Sequence, residues 1–148
     1  MNISEVEVQK VVKALELPEG YSILQLGIGY QYEYAPKGVR YSAPYPELGN
    51  KLWLAIQFEM QQVLCAVDES NPQPWVQELI EGNLRDLIVG VMTAITSKYD
   101  VTLGICVPAA SLIIKNRIGV LCSTELSKPE KSVKDLLQEM KLKFGDKK

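Results

Sequence analysis

Residues 21–45, YSILQLGIGYQYEYAPKGVRYSAPY, form the stretch on which the prediction of the fold depends. They contain six of the seven tyrosines of the chain and its clearest alternation of side-chain types. One parity carries Ser22, Leu24, Leu26, Ile28, Tyr30, Tyr32 and Tyr34, and the other carries Ile23, Gln25, Gly27, Gly29, Gln31 and Glu33. Successive side chains of a strand point to opposite faces, so the alternation predicts a β-strand with one apolar and one mostly polar face.

A turn and a return strand follow the alternating stretch. Residues 35–38, APKG, place proline at the first corner of a four-residue turn and glycine at its close. Residues 39–42 are interpreted as the return strand, which ends before Pro44 and Pro46 because proline cannot donate a ladder hydrogen bond. The sequence therefore predicts a β-hairpin over residues 22–42.

Helices are predicted at both ends and in the middle of the chain. Residues 4–17 carry Ser4 and Glu7 at the spacing of a capping box, ahead of an apolar stripe with helical period. Residues 75–98 have the longest run of apolar residues at three–four spacing and are predicted to form one long helix. Residues 130–144 are predicted to be a last amphipathic helix, with a proline at its start.

The remaining apolar segments are interpreted as strands. Residues 52–61 alternate as a strand does, although the same residues also fit one side of a helix. In a helix, Glu59 would fall within the apolar face, and a strand avoids burying that carboxylate. Residues 101–107 predict another strand, and residues 111–114 with 118–122 predict a second hairpin.

These elements predict one domain over residues 1–148 of the α+β class. Its antiparallel sheet is built from hairpins and packed by a long central helix plus the N- and C-terminal helices. With 148 residues, 47% of them hydrophobic, the chain is large enough to bury a substantial core. Gly27 and Gly29 resemble part of a glycine-rich nucleotide turn, but the third glycine is missing, so the favoured role is close packing of a helix or curling of the strand.

Charge and composition narrow the function classes. A net charge of −2 and a pI of about 5.3 give no basic footprint, so no DNA-specific signal is present. The chain has no histidine, which excludes a Ser-His-Asp triad, a Cys-His pair and a histidine metal site. An enzyme would need carboxylate, lysine, tyrosine or serine chemistry, so the prediction leans away from an enzyme and includes no cofactor.

The cysteines and the hydropathy pattern predict a soluble, cytoplasmic protein. Cys65, Cys106 and Cys122 lie in separate apolar runs, and an odd count without close spacing indicates buried free thiols in a reducing compartment. A three-cysteine metal site is a much weaker alternative, because no CxxC is present. No apolar stretch reaches the length of a membrane span, and the first ten residues lack a secretory signal pattern.

Two functional hypotheses follow from the predicted hairpin. The first is a non-enzymatic, adaptor- or chaperone-like module, acting as a homodimer or binding a protein partner through Tyr30, Tyr32, Tyr34, Arg40 and Tyr41. The alternative is a small-molecule-binding domain or a small histidine-independent enzyme, with a pocket between the same hairpin and a helix. Aromatic rings beside an arginine are typical of recognition surfaces, whereas tyrosine is also a common strand residue of the core edge.

Overall fold

The computed structural model describes residues 3–34, 45–66 and 71–144, with the backbone alone at 32–34, 45, 143 and 144, and these residues are mostly helical. The helices within these ranges are α1 (Glu5–Leu15), α2 (Glu19–Tyr34), α3 (Tyr45–Leu64), α4 (Pro74–Glu81), α5 (Leu84–Lys98), α6 (Leu103–Lys115), α7 (Ile118–Ser123) and α8 (Val133–Phe144). The same ranges contain no β-strand, and one isolated bridge joins Cys65 to Pro72.

The α+β prediction with an antiparallel sheet is therefore wrong. Residues 22–34 belong to α2, and the predicted strand at 52–61 belongs to α3. The predicted strand at 101–107 and the second hairpin fall mostly within α6 and α7. The predicted turn, residues 35–38, and return strand, residues 39–42, lie outside the described residues.

Helix α2 lies at the centre of the fold, and its position explains the misleading alternation. It packs against α3 and α6, and more lightly against α8. Ser22, Leu26 and Tyr30 are buried at i, i+4 and i+8, which is a helical stripe, and further apolar residues of α2 face the other neighbours. A helix surrounded on several sides is apolar all round and shows no polar face, so its helical period is hidden.

Two glycine contacts let the backbones of these helices approach closely. A Cβ added at Gly29 would overlap the carbonyl group of Gly104 in α6, and one added at Gly49 in α3 would overlap the carbonyl group of Ile23. Glycine therefore holds α2 in direct backbone contact with both neighbours. The close-packing role predicted for glycine in this stretch is confirmed at Gly29.

Helix α3 contains Glu59, the carboxylate that favoured a strand. Leu52, Ile56 and Met60 are fully buried along one side of it, and half-buried Glu59 lies beside them. The Glu59 oxygens accept hydrogen bonds from the Tyr99 hydroxyl, at 2.9 Å, and from the Val133 amide, at 2.8 Å. These partners are 40 and 74 residues away along the chain. Their hydrogen bonds offset the cost of desolvating the Glu59 carboxylate, which had argued against a helix.

The predicted long helix over residues 75–98 is two helices. It breaks at Gly82, and Asn83 caps the second helix, with its Oδ1 accepting the Asp86 amide at 2.8 Å. The break folds α4 back onto α5, where a Cβ at Gly90 would meet the Leu79 side chain. Glycine at a helix end and asparagine at an N-cap are common terminators, and here they outweigh the continuous apolar spacing.

The helices predicted at the two ends of the chain are confirmed. Ser4 occupies the N-cap of α1, but its hydroxyl donates to the Glu7 carboxylate instead of accepting a backbone amide. The last helix begins at Val133, three residues later than predicted, where Ser132 Oγ accepts the Asp135 amide at 3.1 Å. None of the helices in the described part of the chain combines the length and the apolar content needed to cross a bilayer.

The prediction of three free thiols is wrong for two of the cysteines. Cys65, at the end of α3, and Cys122, in α7, form a disulfide with a Cα–Cα distance of 5.5 Å. Both lie in the core, and they are 57 positions apart in the sequence, so only the tertiary fold reveals the pairing. Cys106 in α6 is free and buried, and burial raises the pKa of its thiol to about 12.

Candidate functional site

A cleft of about 330 Å³ lies between α1, α2 and α6 and is termed the α1–α2–α6 cleft. Its lining residues are Lys10, Lys13 and Ala14 from α1; Tyr21, Ser22 and Gln25 from α2; and Leu103, Gly104, Val107, Pro108 and Ser111 from α6. This volume is at the lower end of the range of about 300–1,000 Å³ that small-molecule pockets occupy. The cleft therefore has room for a small ligand.

The charged side chains that line the cleft are lysines. Lys10 and Lys13 are exposed and stand three residues apart on α1, a spacing that puts both on one side of the helix. No Asp or Glu is among the described residues that line the cleft. The charged groups of the described lining are therefore cationic, although the whole chain has a net charge of −2.

The α2 side of the cleft contains a buried hydroxyl without a partner. Ser22 is 1% exposed, and its Oγ makes no hydrogen bond to any of the described residues. An unsatisfied buried polar group typically lowers stability by about 1–3 kcal/mol, so native proteins retain few of them. Gln25, half-buried and three residues further along α2, adds a second polar group to the same wall.

The α6 side of the cleft is apolar. Leu103, Val107 and Pro108 form most of this wall, and Ala14 of α1 continues it. The hydroxyl of Ser111 is occupied, because it donates to the Val107 carbonyl at 2.8 Å. The cleft thus separates charged and polar groups on α1 and α2 from an apolar wall on α6.

The described lining of the cleft offers groups for binding, and it contains neither a histidine nor a carboxylate to act as a general base. Ser22 would need a neighbouring general base to act as a nucleophile. The chain has no histidine, and the described lining contains no carboxylate to fill that role. In the described ranges, no three Cys, Asp or Glu side chains come close enough together to bind a metal ion.

A second surface feature, an apolar groove, lies on α4 and α5. Trp75, which is 40% exposed, lines it together with Leu79, Gly90 and Ala94. A single exposed tryptophan in a shallow groove is common at protein surfaces. The groove lacks the buried unpartnered group that distinguishes the α1–α2–α6 cleft.

The residues predicted to bind a partner do not form the expected hairpin face. Tyr30 is 3% exposed in the core, and its hydroxyl donates to the Leu136 carbonyl of α8 at 2.6 Å. Residues 32 and 34 are in α2, where helical geometry separates position 32 from position 30 by about half a turn. Their side chains, and Arg40 and Tyr41 altogether, lie outside the described residues, so a binding role for them stays a prediction.

Sequence reasoning missed the residues that line the cleft. Lys10 and Lys13 carry no functional signal in the sequence, and the alternation predicts Ser22 on a strand with the tyrosines. The helical spacing of Ser22, Leu26 and Tyr30 is the only signal that points to a buried serine. Nothing in the sequence indicates that α6 would face α1 and α2.

The described residues form a helical fold without strands, with a small, partly apolar cleft lined by two lysines. Neither a protein-family model, nor a curated protein sequence, nor a solved structure matches this chain.

Proposed function

We propose that this protein binds a small anionic organic molecule in the α1–α2–α6 cleft and acts as a binding protein. The observation that supports the proposal best is the Ser22 hydroxyl, which is buried in the wall of the cleft and unpartnered among the described residues. A ligand oxygen that accepts a hydrogen bond from Ser22 would satisfy this group, and because the Oγ has almost no accessible surface, the wall of the cleft must shift slightly to admit it. The hydroxyl would then contribute to affinity in place of lowering stability.

The charge of the cleft supports an anion in particular. Lys10 and Lys13 stand together at the opening, and no described lining residue has a negative charge to compete with a ligand. Exposed charge pairs are each worth about 0.2–1 kcal/mol, so the lysines favour an anion without holding it alone. The remaining affinity would come from the cleft walls.

The proposal keeps the small-molecule hypothesis from the sequence but places the pocket between α1, α2 and α6 instead of beside the predicted hairpin. The hypothesis of a tyrosine-rich hairpin module required a β-hairpin over residues 22–42, and residues 22–34 are helical. Binding to a protein partner, self-association and a cytoplasmic location, all expected from the sequence, stay predictions. The disulfide argues against the predicted cytoplasmic location, because disulfides are uncommon in reducing compartments.

Isothermal titration calorimetry on the wild type and on K10Q/K13Q tests the proposal. The panel contains acetate, octanoate, phenylacetate, inorganic phosphate and glycerol 3-phosphate. We expect saturable binding of at least one member and about a tenfold loss of affinity in K10Q/K13Q, from two surface charge pairs of about 0.7 kcal/mol each. Binding should also weaken as ionic strength rises.

The matched control is K51Q/K128Q, which removes the same charge at exposed lysines outside the cleft. It should bind as the wild type does. Equal affinity losses in the two double variants would show that net charge alone attracts the anion. That result, or the absence of saturable binding across the panel, contradicts the proposal.

A further inference from the structure

We infer that the ligand of the α1–α2–α6 cleft is an amphipathic monoacid, with one anionic head and an unbranched or aryl hydrocarbon body. The inference rests on the proposed function, and it adds the chemical class of the ligand. Its basis is the separation of polar and apolar lining residues between different helices.

The anionic head belongs on the side of α1 and α2. Lys10 and Lys13 supply positive charge from α1, and Ser22, in the α2 wall, has a buried hydroxyl with no partner among the described residues. A carboxylate has two acceptor oxygens and can accept hydrogen bonds from both ammonium and hydroxyl groups. The described lining offers no second cationic group away from α1, so a diacid would leave one charge against an apolar wall.

The hydrocarbon body belongs on the side of α6. Leu103, Val107 and Pro108 present carbon atoms there, and the hydroxyl of Ser111, the polar residue of this wall, is already bonded to a backbone carbonyl. The described α6 wall therefore offers a sugar or a polyol no free side-chain donor, although the Ser111 oxygen can still accept a hydrogen bond. An apolar chain would gain free energy from leaving water along this wall.

The volume of the cleft sets an upper limit to the ligand. About 330 Å³ is close to the minimum for small-molecule sites, which excludes a dinucleotide or a similarly large cofactor. A short or medium-length free acid fits this limit.

A chain-length series tests the inference on the wild-type protein. Calorimetric dissociation constants are measured for acetate, butanoate, hexanoate and octanoate, with octyl phosphate as a second anionic head and octanamide as the neutral analogue. Burial of one methylene group corresponds to about a fourfold gain in affinity, so we expect steps of that size until the chain fills the cleft. Octyl phosphate should bind with an affinity similar to that of octanoate. Octanamide should bind at least tenfold more weakly than octanoate.

V107T provides an independent test of the apolar wall. It exchanges a methyl group for a hydroxyl of similar size at a half-buried position, and V120T makes the same change at an exposed position on α7. We expect V107T to reduce the gain per methylene and to lower octanoate affinity about threefold or more, whereas V120T should match the wild type. Thermal unfolding of both variants shows whether each one is folded.

The outcomes separate the inference from the proposed function. Equal affinities for acetate and octanoate, both weakened in K10Q/K13Q, would overturn the amphipathic ligand and leave an anion site. Octanamide binding as tightly as octanoate, or an unchanged chain-length dependence in folded V107T, would also overturn it. Chain-length-dependent binding that K10Q/K13Q leaves unchanged would overturn the proposed function as well, because the acids would then bind elsewhere.

Discussion

Glu59 shows at the scale of one residue how a carboxylate joins distant parts of the chain. One of its oxygens accepts the hydroxyl of Tyr99 and the other accepts the amide of Val133, the first residue of α8. A carboxylate at a helix N-terminus also interacts favourably with the helix dipole. Glu59 thereby connects α3 to the residue that follows α5 and to the start of α8.

The pKa of Tyr99 gives this cluster a pH dependence. Burial of the ring raises the pKa of its hydroxyl well above the ordinary value of 10.0, and the hydrogen bond and charge of Glu59 raise it further. The native state thus keeps this proton at a pH where the unfolded chain has lost it. The stabilisation is complete below about pH 10 and decreases as the pH rises above that value.

We therefore expect Y99F to differ from the wild type in a pH-dependent way. At pH 8 the free energy of unfolding of the variant should be about 2 kcal/mol lower than that of the wild type, because the variant loses a hydrogen bond to a carboxylate. Above pH 10 the difference should shrink, since the wild type alone must hold a buried, protonated hydroxyl. Urea unfolding from pH 8 to pH 11 measures the difference in free energy of unfolding between Y99F and the wild type. Y21F, which changes an exposed tyrosine, is the control. A difference that stays constant or grows contradicts this account.

At the scale of elements, the position of α2 depends on glycine. The carbonyl of Gly104 occupies the place of a Cβ at position 29, and the carbonyl of Ile23 occupies that of a Cβ at position 49. Glycine within a helix lowers its intrinsic stability by about 1 kcal/mol relative to alanine. Direct contact between the helices offsets this loss, so these glycines stabilise the packed fold while weakening the isolated helix.

Alanine substitutions separate the two effects of glycine. We expect G29A to lower the free energy of unfolding by about 1–3 kcal/mol or more, because backbone atoms must move to admit the methyl group. G20A, in the first turn of the same helix, meets nothing within 4 Å and should be neutral or stabilising by up to about 1 kcal/mol. Chemical denaturation measures both, and similar values for the two variants would show that α2 is not in backbone contact with α6.

The sequence predicted the elements at the ends of the chain better than those at the centre. Helices α1 and α8 lie on the outside, where one apolar stripe and one polar face make the helical period visible. Helix α2 is enclosed by its neighbours, and its alternating side chains imitate a strand. For α3, the prediction depended on Glu59 having no partner, and its partners come from distant parts of the chain.

The candidate site was harder to predict than the fold, for the same physical reason. It needs α1, α2 and α6 side by side, and α6 contains Pro108, which suggests the end of an element in a sequence. In the structure Pro108 lies inside α6, at a buried position. The lysines were visible as charges on a helix, but their proximity to Ser22 depends on this packing.

At the scale of the whole molecule, the disulfide links the end of α3 to α7. Gln61 reinforces the same junction, since its amide donates to the carbonyls of Leu121, at 2.8 Å, and Thr124, at 2.7 Å. A crosslink between residues 57 positions apart removes many conformations from the unfolded chain. The chain-entropy model gives about 4 kcal/mol for a loop of this length.

Reduction of the disulfide should therefore destabilise the protein. We expect a reductant to lower the free energy of unfolding by up to about 4 kcal/mol, measured as a shift in the urea midpoint. In C65A/C122A the reductant should have no effect, because Cys106 is buried and has no disulfide partner. An unchanged midpoint in the reduced wild type would show that the link contributes nothing to stability.

The most direct test of the central claim, that Ser22 is a ligand-binding group, is octanoate titration of S22A and the wild type, with S127A as the exposed control. Since the Ser22 hydroxyl has no partner among the described residues, S22A should be as stable as the wild type or more so. Its octanoate affinity should fall about fivefold, equivalent to one hydrogen bond of about 1 kcal/mol. Unchanged affinity in S22A would contradict the claim.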